Sequence, residues 1–264
     1  VTSMNEMFNG CSAFNQALTF NTSAVTSMNN MFANCTAFNS ALTFDTSAVT
    51  DMNAMFGNCS VFNQALSFDT SAVTNMGGMF NSCSVFNQPL SFDTSSVTDM
   101  SAMFFNCTAF NQPLSFNTSS VTTMRRMFRF ATAFNQNISS FNTGAVTNME
   151  SMFRDATAFN QPLSFDTSAV TTMQLMFKDA TAFNQNIGTW NVANVTDFNS
   201  FMTGKTDATF STTNLNAIYN GWSTQSVQPS LTIDFGTAKY TAAATAGRLV
   251  LTGTALWTIT DGGL

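Results

Sequence analysis

Five cysteines stand 24 residues apart, at Cys11, Cys35, Cys59, Cys83 and Cys107. Thiols at fixed spacing can cross-link, bind a soft metal or act as nucleophiles, and their surroundings decide which. Each follows a Met-x-x-Met-Phe segment such as Met4, Met7 and Phe8, and thioether beside thiolate suits Cu(I). A second row is Asn21, Asp45, Asp69, Asp93, Asn117, Asn142, Asp166 and Asn191. Three successive Asp in it would repel one another, and a Ca²⁺ between them would relieve that. A third row is a Thr in every unit, Thr2 through Thr196, with a further hydroxyl row that opens Thr19, Thr43, Ser67, Ser91 and Ser115. Regular hydroxyl ladders are what an ice-binding face requires. The chain has no His at all, which removes the usual general base and the commonest metal ligand. No Gly-rich phosphate loop or nucleophile elbow occurs. The sequence therefore predicts a protein that is not an enzyme.

Each row also has a structural explanation. The cysteine row continues as Ala131, Ala156 and Ala180, so a small apolar side chain serves equally well there. Five thiols cannot all pair, and buried free thiols are the expectation. The Met row fills a core, the ordinary use of Met. Asn replaces Asp freely in the Asx row, and Asx side chains form turns by bonding their own backbone two residues on. That favours a turn over a Ca²⁺ site, so no metal or other cofactor is assigned. Asn15, Asn39, Asn63, Asn87, Asn111, Asn135, Asn160 and Asn184 form a further row. A buried Asn must find partners, and here it is expected to donate to one coil and accept from the next.

All these rows come from one repeat. Val-Thr opens a unit at Val1, Val25, Val49, Val73, Val97, Val121, Val146, Val170 and Val195. The spacing is 24 residues, with one extra residue in the units that begin at Val121 and Val170. A period of this length marks a solenoid, in which each unit buries its apolar face only against its neighbours. Within a unit, Met4, Met7 and Phe8 have helical spacing, and Thr2 stands where an N-cap belongs. Leu18 and Phe20 have the period of a strand, and Asn21-Thr22-Ser23 is turn chemistry. The predicted coil is a short parallel strand plus a short helical turn. Eight full repeats and a partial ninth occupy residues 1–205, and residues 206–264 break the period. That tail reads as a helix over Leu215 to Trp222, a strand over Ser230 to Phe235, a helix over Ala242 to Leu251 and a strand over Trp257 to Thr260, a small α/β C-terminal cap.

Charged residues are only 8% of the chain and the net charge is −6. A nucleic-acid binder needs a basic footprint, and Arg125, Arg126 and Arg129 are the only local cluster. No stretch reaches the roughly 18 continuous apolar residues of a membrane span. The chain opens inside the repeat grammar, so an N-terminal cap and any targeting signal are expected upstream of Val1.

The motif V-T-x-M-x-x-M-F-x-x-C/A-x-x-F-N-Q resembles the repeat of BspA-like leucine-rich-repeat surface proteins, and more closely the mycoplasma-type surface lipoprotein repeat, over Val1 to about Met202. Tyr219-Asn220-Gly221-Trp222 and the ending Trp257 to Leu264 resemble the cap that follows such repeats. The resemblance implies a leucine-rich-repeat-like solenoid that is extracellular, on a cell or virion surface, in a family associated with adhesion and host contact. The expected partner is a protein or glycan on a surface, met through the outward residues Thr19, Asn21, Thr43, Asp45, Ser67, Asp69, Ser91, Asp93, Ser115 and Asn117. The alternative is an architectural subunit of an extracellular filament, fibre or virion whose partners are copies of itself, and a lesser one is an ice-binding protein. The extra residues and the loss of Cys after Cys107 mark where the rod is least uniform, and specific function is to be sought there or on the outer faces.

Overall fold

The third residue of each unit forms a parallel bridge with its counterpart one unit on, from Ser3 with Ser27 to Thr172 with Asp197. These bridges stack the units into a solenoid in the computed structural model, which describes residues 1–264. Positions in a coil are numbered below from its opening Val.

The backbone ladder that ties coils together runs over positions 3 to 10. Met28, Asn30, Phe32 and Asn34 donate their amides to the carbonyls of Asp51, Asn53, Met55 and Gly57 in the next coil, at 2.9, 2.8, 2.9 and 2.7 Å. Between these bonds the segment folds into tight turns, with Met31 N–H on Met28 O and Cys35 N–H on Phe32 O. An α-helix needs consecutive right-handed residues. Positions 6 and 10 are left-handed instead: Asn30 has φ 53° and Asn34 φ 63°, and the pattern recurs in every coil. The winding is undone every fourth residue, so alternate amides point along the rod. The expected helical turn is therefore corrected to a ribbon of turns. Thr at position 2 caps no helix: the Thr26 hydroxyl donates to Thr2 O at 3.1 Å, and the same bond repeats up to Thr196 on Thr171.

The expected strand is corrected as well. Side chains over positions 18 to 22 do alternate, with Leu42, Phe44 and Thr46 buried and Thr43 and Asp45 exposed. No backbone bond joins coils there. The ties are hydroxyls: Thr46, Thr70, Thr94, Thr118, Thr143 and Thr167 each donate to the backbone carbonyl of the next coil's Asx, Asp69, Asp93, Asn117, Asn142, Asp166 and Asn191, at 2.8–2.9 Å.

Inward residues form one continuous core of 73 buried side chains. Its axis is two columns of Phe in parallel stacks. Phe32 and Phe38 lie 4.3 Å apart between centroids, and each meets its counterpart in the next coil, Phe56 or Phe62, at 5.8 Å. Such pairs add about 0.5–1.5 kcal/mol each beyond burial.

The tail packs on the last coil. Helix α1, Thr212–Trp222, is N-capped by Ser211 and buries Leu215, Ile218, Tyr219 and Trp222. Strand β1, Thr232–Asp234, pairs in parallel with β2, Thr258–Thr260, and Ile233 bridges to Phe198. Between the strands run a 3₁₀ turn at Ala242–Ala244, helix α2 at Thr245–Leu249 and a π turn at Val250–Thr254. No helix is long and apolar enough to cross a membrane.

Candidate functional site

The outward hydroxyl and Asx rows lie side by side on one face. Thr19, Asn21, Thr43, Asp45, Ser67, Asp69, Ser91, Asp93, Ser115 and Asn117 are all exposed. Leu and Phe at positions 18 and 20 are drawn into the core, and alternation turns positions 19 and 21 outward. Each Asx closes its own turn: Asp45 Oδ1 accepts from the Ser47 amide at 3.1 Å and its hydroxyl at 2.7 Å, and Asp69 does the same with Ser71. These bonds hold the carboxyls of Asp45, Asp69 and Asp166 below the usual carboxylate range, through the serine hydroxyl first and the amide second. For Asp93 the Ser95 amide comes first. The face is thus negatively charged, with one oxygen per Asx engaged by its own turn. No group of three or more Cys, Asp or Glu side chains is placed to hold a metal ion.

The Asn row, expected to be buried, is a half-buried ladder between coils, with Asn15 at its open end exposed. Asn39 N–H donates to Asn15 Oδ1 at 2.8 Å, and the bond repeats to Asn184 on Asn160. From the third coil on, the following Gln joins it, as Gln64 Nε2 does on Asn39 Oδ1 at 3.1 Å. Each Asn accepts from the next coil. The tail completes the ladder: Asn184 Oδ1 accepts from the Ser211 amide and from Asn214 Nδ2, both at 2.9 Å.

The cysteines are free, Cys11 exposed and the other four buried. Sγ of Cys35, Cys59, Cys83 and Cys107 donates to the carbonyls of Phe8, Phe32, Phe56 and Phe80 at 2.9–3.0 Å. Burial pushes Cys35 up to about 11 and Cys59 up to about 12, with the neighbouring thiol in the row adding to both. Cys83 and Cys107 rise further for the same reason. Protonated, hydrogen-bonded thiols are poor nucleophiles and poor metal ligands.

Sequence reading missed Lys205. It occupies position 11 of the ninth unit, in register with the Cys and Ala row, and is 2% exposed. Its Nζ donates to the carbonyls of Ala180, Thr181 and Phe183, the last two at 3.2 and 2.6 Å. Burial draws its pKa down to about 7. Counting ten residues on from Val195 would have found it. A second missed cluster ties the tail: Asp261 accepts from Tyr219 Oη at 2.6 Å and from Arg248 Nε at 2.7 Å. The tail also holds a cavity of about 310 Å³ lined by Val227, Pro229, Val250, Leu251 and Ala255 among others.

A family described as "Mycoplasma protein of unknown function, DUF285" matches residues 1–91, 41–117, 91–164, 114–214 and 164–241, tiling the chain in overlapping repeats. No curated protein matches the sequence.

Proposed function

The chain belongs to this Mycoplasma repeat family of unknown function, and on that premise we propose that it is a non-enzymatic, surface-displayed rod that binds a protein or glycan through its outward polar rows. The observation that carries this reading is the contrast between faces. Inward rows of Met and Phe are consumed by packing and the half-buried Asn row by bonds between coils, whereas the hydroxyl and Asx rows stay exposed from Thr19 and Asn21 to Ser115 and Asn117. A row of like polar groups, Thr or Ser beside Asp or Asn, at one coil spacing is suited to avidity, in which weak contacts add once the first has formed. The spacing of V-T-x-M-x-x-M-F and F-N-Q supports the finer likeness to BspA-like surface proteins and an extracellular setting. Contacts from Ser211, Asn214 and Trp222 to the last coils support the tail's role as a C-terminal cap.

A glycan and protein array probed with the chain tests the reading, alongside a variant carrying Ala at Thr43, Asp45, Ser67, Asp69, Ser91 and Asp93. The expected result is binding that this variant loses. Binding untouched by those changes sinks the face assignment. Regular filaments in images of the purified chain, with no ligand found, would replace the reading with that of an architectural subunit.

A further inference from the structure

Coils five to eight break the uncharged pattern on a different face. Position 9 carries Asn9, Ala33, Gly57 and Asn81 in the first four coils, then Phe105, Arg129, Arg154 and Lys178. Arg125, Arg126 and Glu150 lie beside this column at positions 5 and 6, and Phe130, Asp155 and Asp179 beside it at position 10. Five of the chain's 8 cations fall here against four of its 14 carboxylates, with Asp99 at position 3 of coil five, in a protein of net charge −6. The Asp row lies on another face, and exposed charges beyond about 8 Å are largely screened at physiological salt. A ligand at this belt meets local positive charge.

Much of that charge is uncompensated. Glu150 takes Arg125 Nε at 2.8 Å and Arg126 at 3.2 Å, and Arg154 pairs with Asp155 at 3.1 Å. Arg129 and Lys178 make no ion pair. Arg129 instead lies 4.8 Å from the Phe130 ring centre and 5.5 Å from Phe105, and those two rings meet edge to face at 5.7 Å. Four buried side-chain polar atoms in the chain lack a hydrogen-bond partner, and three are here: Arg126 Nε, Arg129 Nε and Ser151 Oγ. Ser151 is fully buried and out of a ligand's reach, but Arg126 and Arg129 are half-buried, and the protein gives their Nε–H groups no acceptor, although buried donors are normally paired. The backbone adds a further sign. Positions 6 and 10 are left-handed and elsewhere carry mostly Gly, Asn, Ala or Ser, yet here they hold Arg126, Phe130 and Leu175 at φ 59°, 60° and 59°. Bulky side chains in that region strain the backbone. Their presence is not explained by packing of the coil.

We propose that the position-9 column of coils five to eight, with Arg126 and Phe130 beside it, binds a linear acidic polysaccharide, one bearing sulfate or carboxylate groups. Guanidinium forks match those anions in two-point geometry. Arg129, Arg154 and Lys178 form a straight row one coil apart, about 4.8 Å, which matches charges repeated along a stiff chain. Exposed Thr132 and Thr157 and half-buried Asn148, Thr172 and Gln174 flank the row and offer partners to sugar hydroxyls. The negative faces of Phe105 and Phe130 suit the polarised C–H face of a pyranose. A folded protein partner would want an apolar centre, and the flanking rows are polar.

This inference rests on the surface-binding reading but names a different face. The test measures binding of the chain to dextran sulfate, polygalacturonate, uncharged dextran and poly-glutamate at low and high salt. Binding to one or both acidic polysaccharides, weakened by salt and at least tenfold by the double change Arg129→Gln with Lys178→Gln, is the expected result. The two polymers tell sulfate from carboxylate. Lys178→Glu alone, at an unpaired side chain, provides a second variant, and thermal melts check that both variants fold. Lys239→Gln, in the tail, should leave binding unchanged. Equal binding to poly-glutamate, binding indifferent to the substitutions, or no binding at all overturns the proposal. Loss of the position-19 and position-21 face without effect here, or the reverse, shows which of the two readings has failed.

Discussion

Coils two to five and coils six to eight are built on the same core, with Met and Phe columns buried at the same positions and the same Asn ladder. Apart from Ile138, Ile187 and Trp190 in place of Leu and Phe, and the extra residue in coils six and eight, they differ at two places. Position 11 is a buried Cys in the first group and Ala131, Ala156 or Ala180 in the second. Position 9 is small or amide in coils two to four, becomes Phe105 in coil five, and is Arg or Lys in the second group. What varies inside the rod is one apolar side chain for another, Cys for Ala, Leu for Ile and Phe for Trp, whereas what varies outside is charge, aromatic surface and backbone strain. A repeat keeps what its stacking needs, so the informative residues are those that depart from it without improving the stack.

The largest separation of the two groups should come in alkali. Thiols ionise near pH 9 in an unfolded chain, but burial holds Cys59 protonated up to about 12 and Cys83 higher. Between those limits the unfolded state has released protons that the folded state retains, so stability falls as pH rises above 9. Each fully buried thiol should lower stability by about 1.4 kcal/mol at pH 10, and Cys59, Cys83 and Cys107 together by about 4 kcal/mol. Urea melts at pH 7 and 10 of the parent and of the triple Cys→Ala variant check this. The parent should lose that much more than the variant. Lys205 titrates with the opposite sign, its folded pKa being depressed, but it is common to both proteins. Equal losses would mean that the thiols are not buried as described. Since coils in a rod are coupled only to neighbours, the parent's transition should also broaden or split at pH 10 as the thiol coils loosen first.

Next in size is the core, where the two groups should not differ. Phe86→Ala and Phe159→Ala each remove a fully buried ring from the stacked column. Each should reduce stability by about 3–5 kcal/mol. Matching values from denaturant melts support a uniform core. A markedly smaller value in the later coil would show that its core is looser, and that the departures outside reach inward.

Much of this was legible from residue spacing and some was not, for a physical reason. Periods of three, four and two report which way a side chain faces, and they placed these columns toward the core: Met28, Met31, Phe32, Leu42 and Phe44 are buried, while in the end coil Met7 and Phe20 are exposed. They do not report which backbone groups bond to which. The left-handed residues at Asn30 and Asn34 turned an expected helical turn into a ribbon that bonds the next coil, and moved the ladder from position 19 to position 3. The buried Thr46 row was read as turn chemistry because Asp45-Thr46-Ser47 is also a turn, and its inter-coil bond requires three dimensions. The tail's helix and strands were readable because their alternation is ordinary and they are bounded by Ser211, Ser230 and Gly236. The charged belt was visible only as three Arg. Its rings and orphaned donors come together from coils 24 and 25 residues apart.

The smallest effect is the most telling about why the later coils depart from the pattern. Gly78 and Leu175 occupy the same left-handed position 6, at φ 61° and 59°. A Cβ at Gly78 would meet only Ala54 and Asn81 at 3.8 Å, ordinary contact, so in the folded state Gly78→Ala changes backbone strain and little else. It should lower stability by about 1 kcal/mol. Leu175→Gly should do the reverse, relieving about 1–2 kcal/mol of strain while losing about 0.5–1 kcal/mol to unfolded-state freedom, a net gain of about 0–1.5 kcal/mol. Thermal melts of the two variants read both signs. A gain at Leu175 means that the coil would be more stable with the residue the other group uses, so its side chain is held there for something other than folding. A loss would instead return Leu175 to the structural account, and with it the strain argument that sets the belt of Arg126 and Phe130 apart from the rest of the rod.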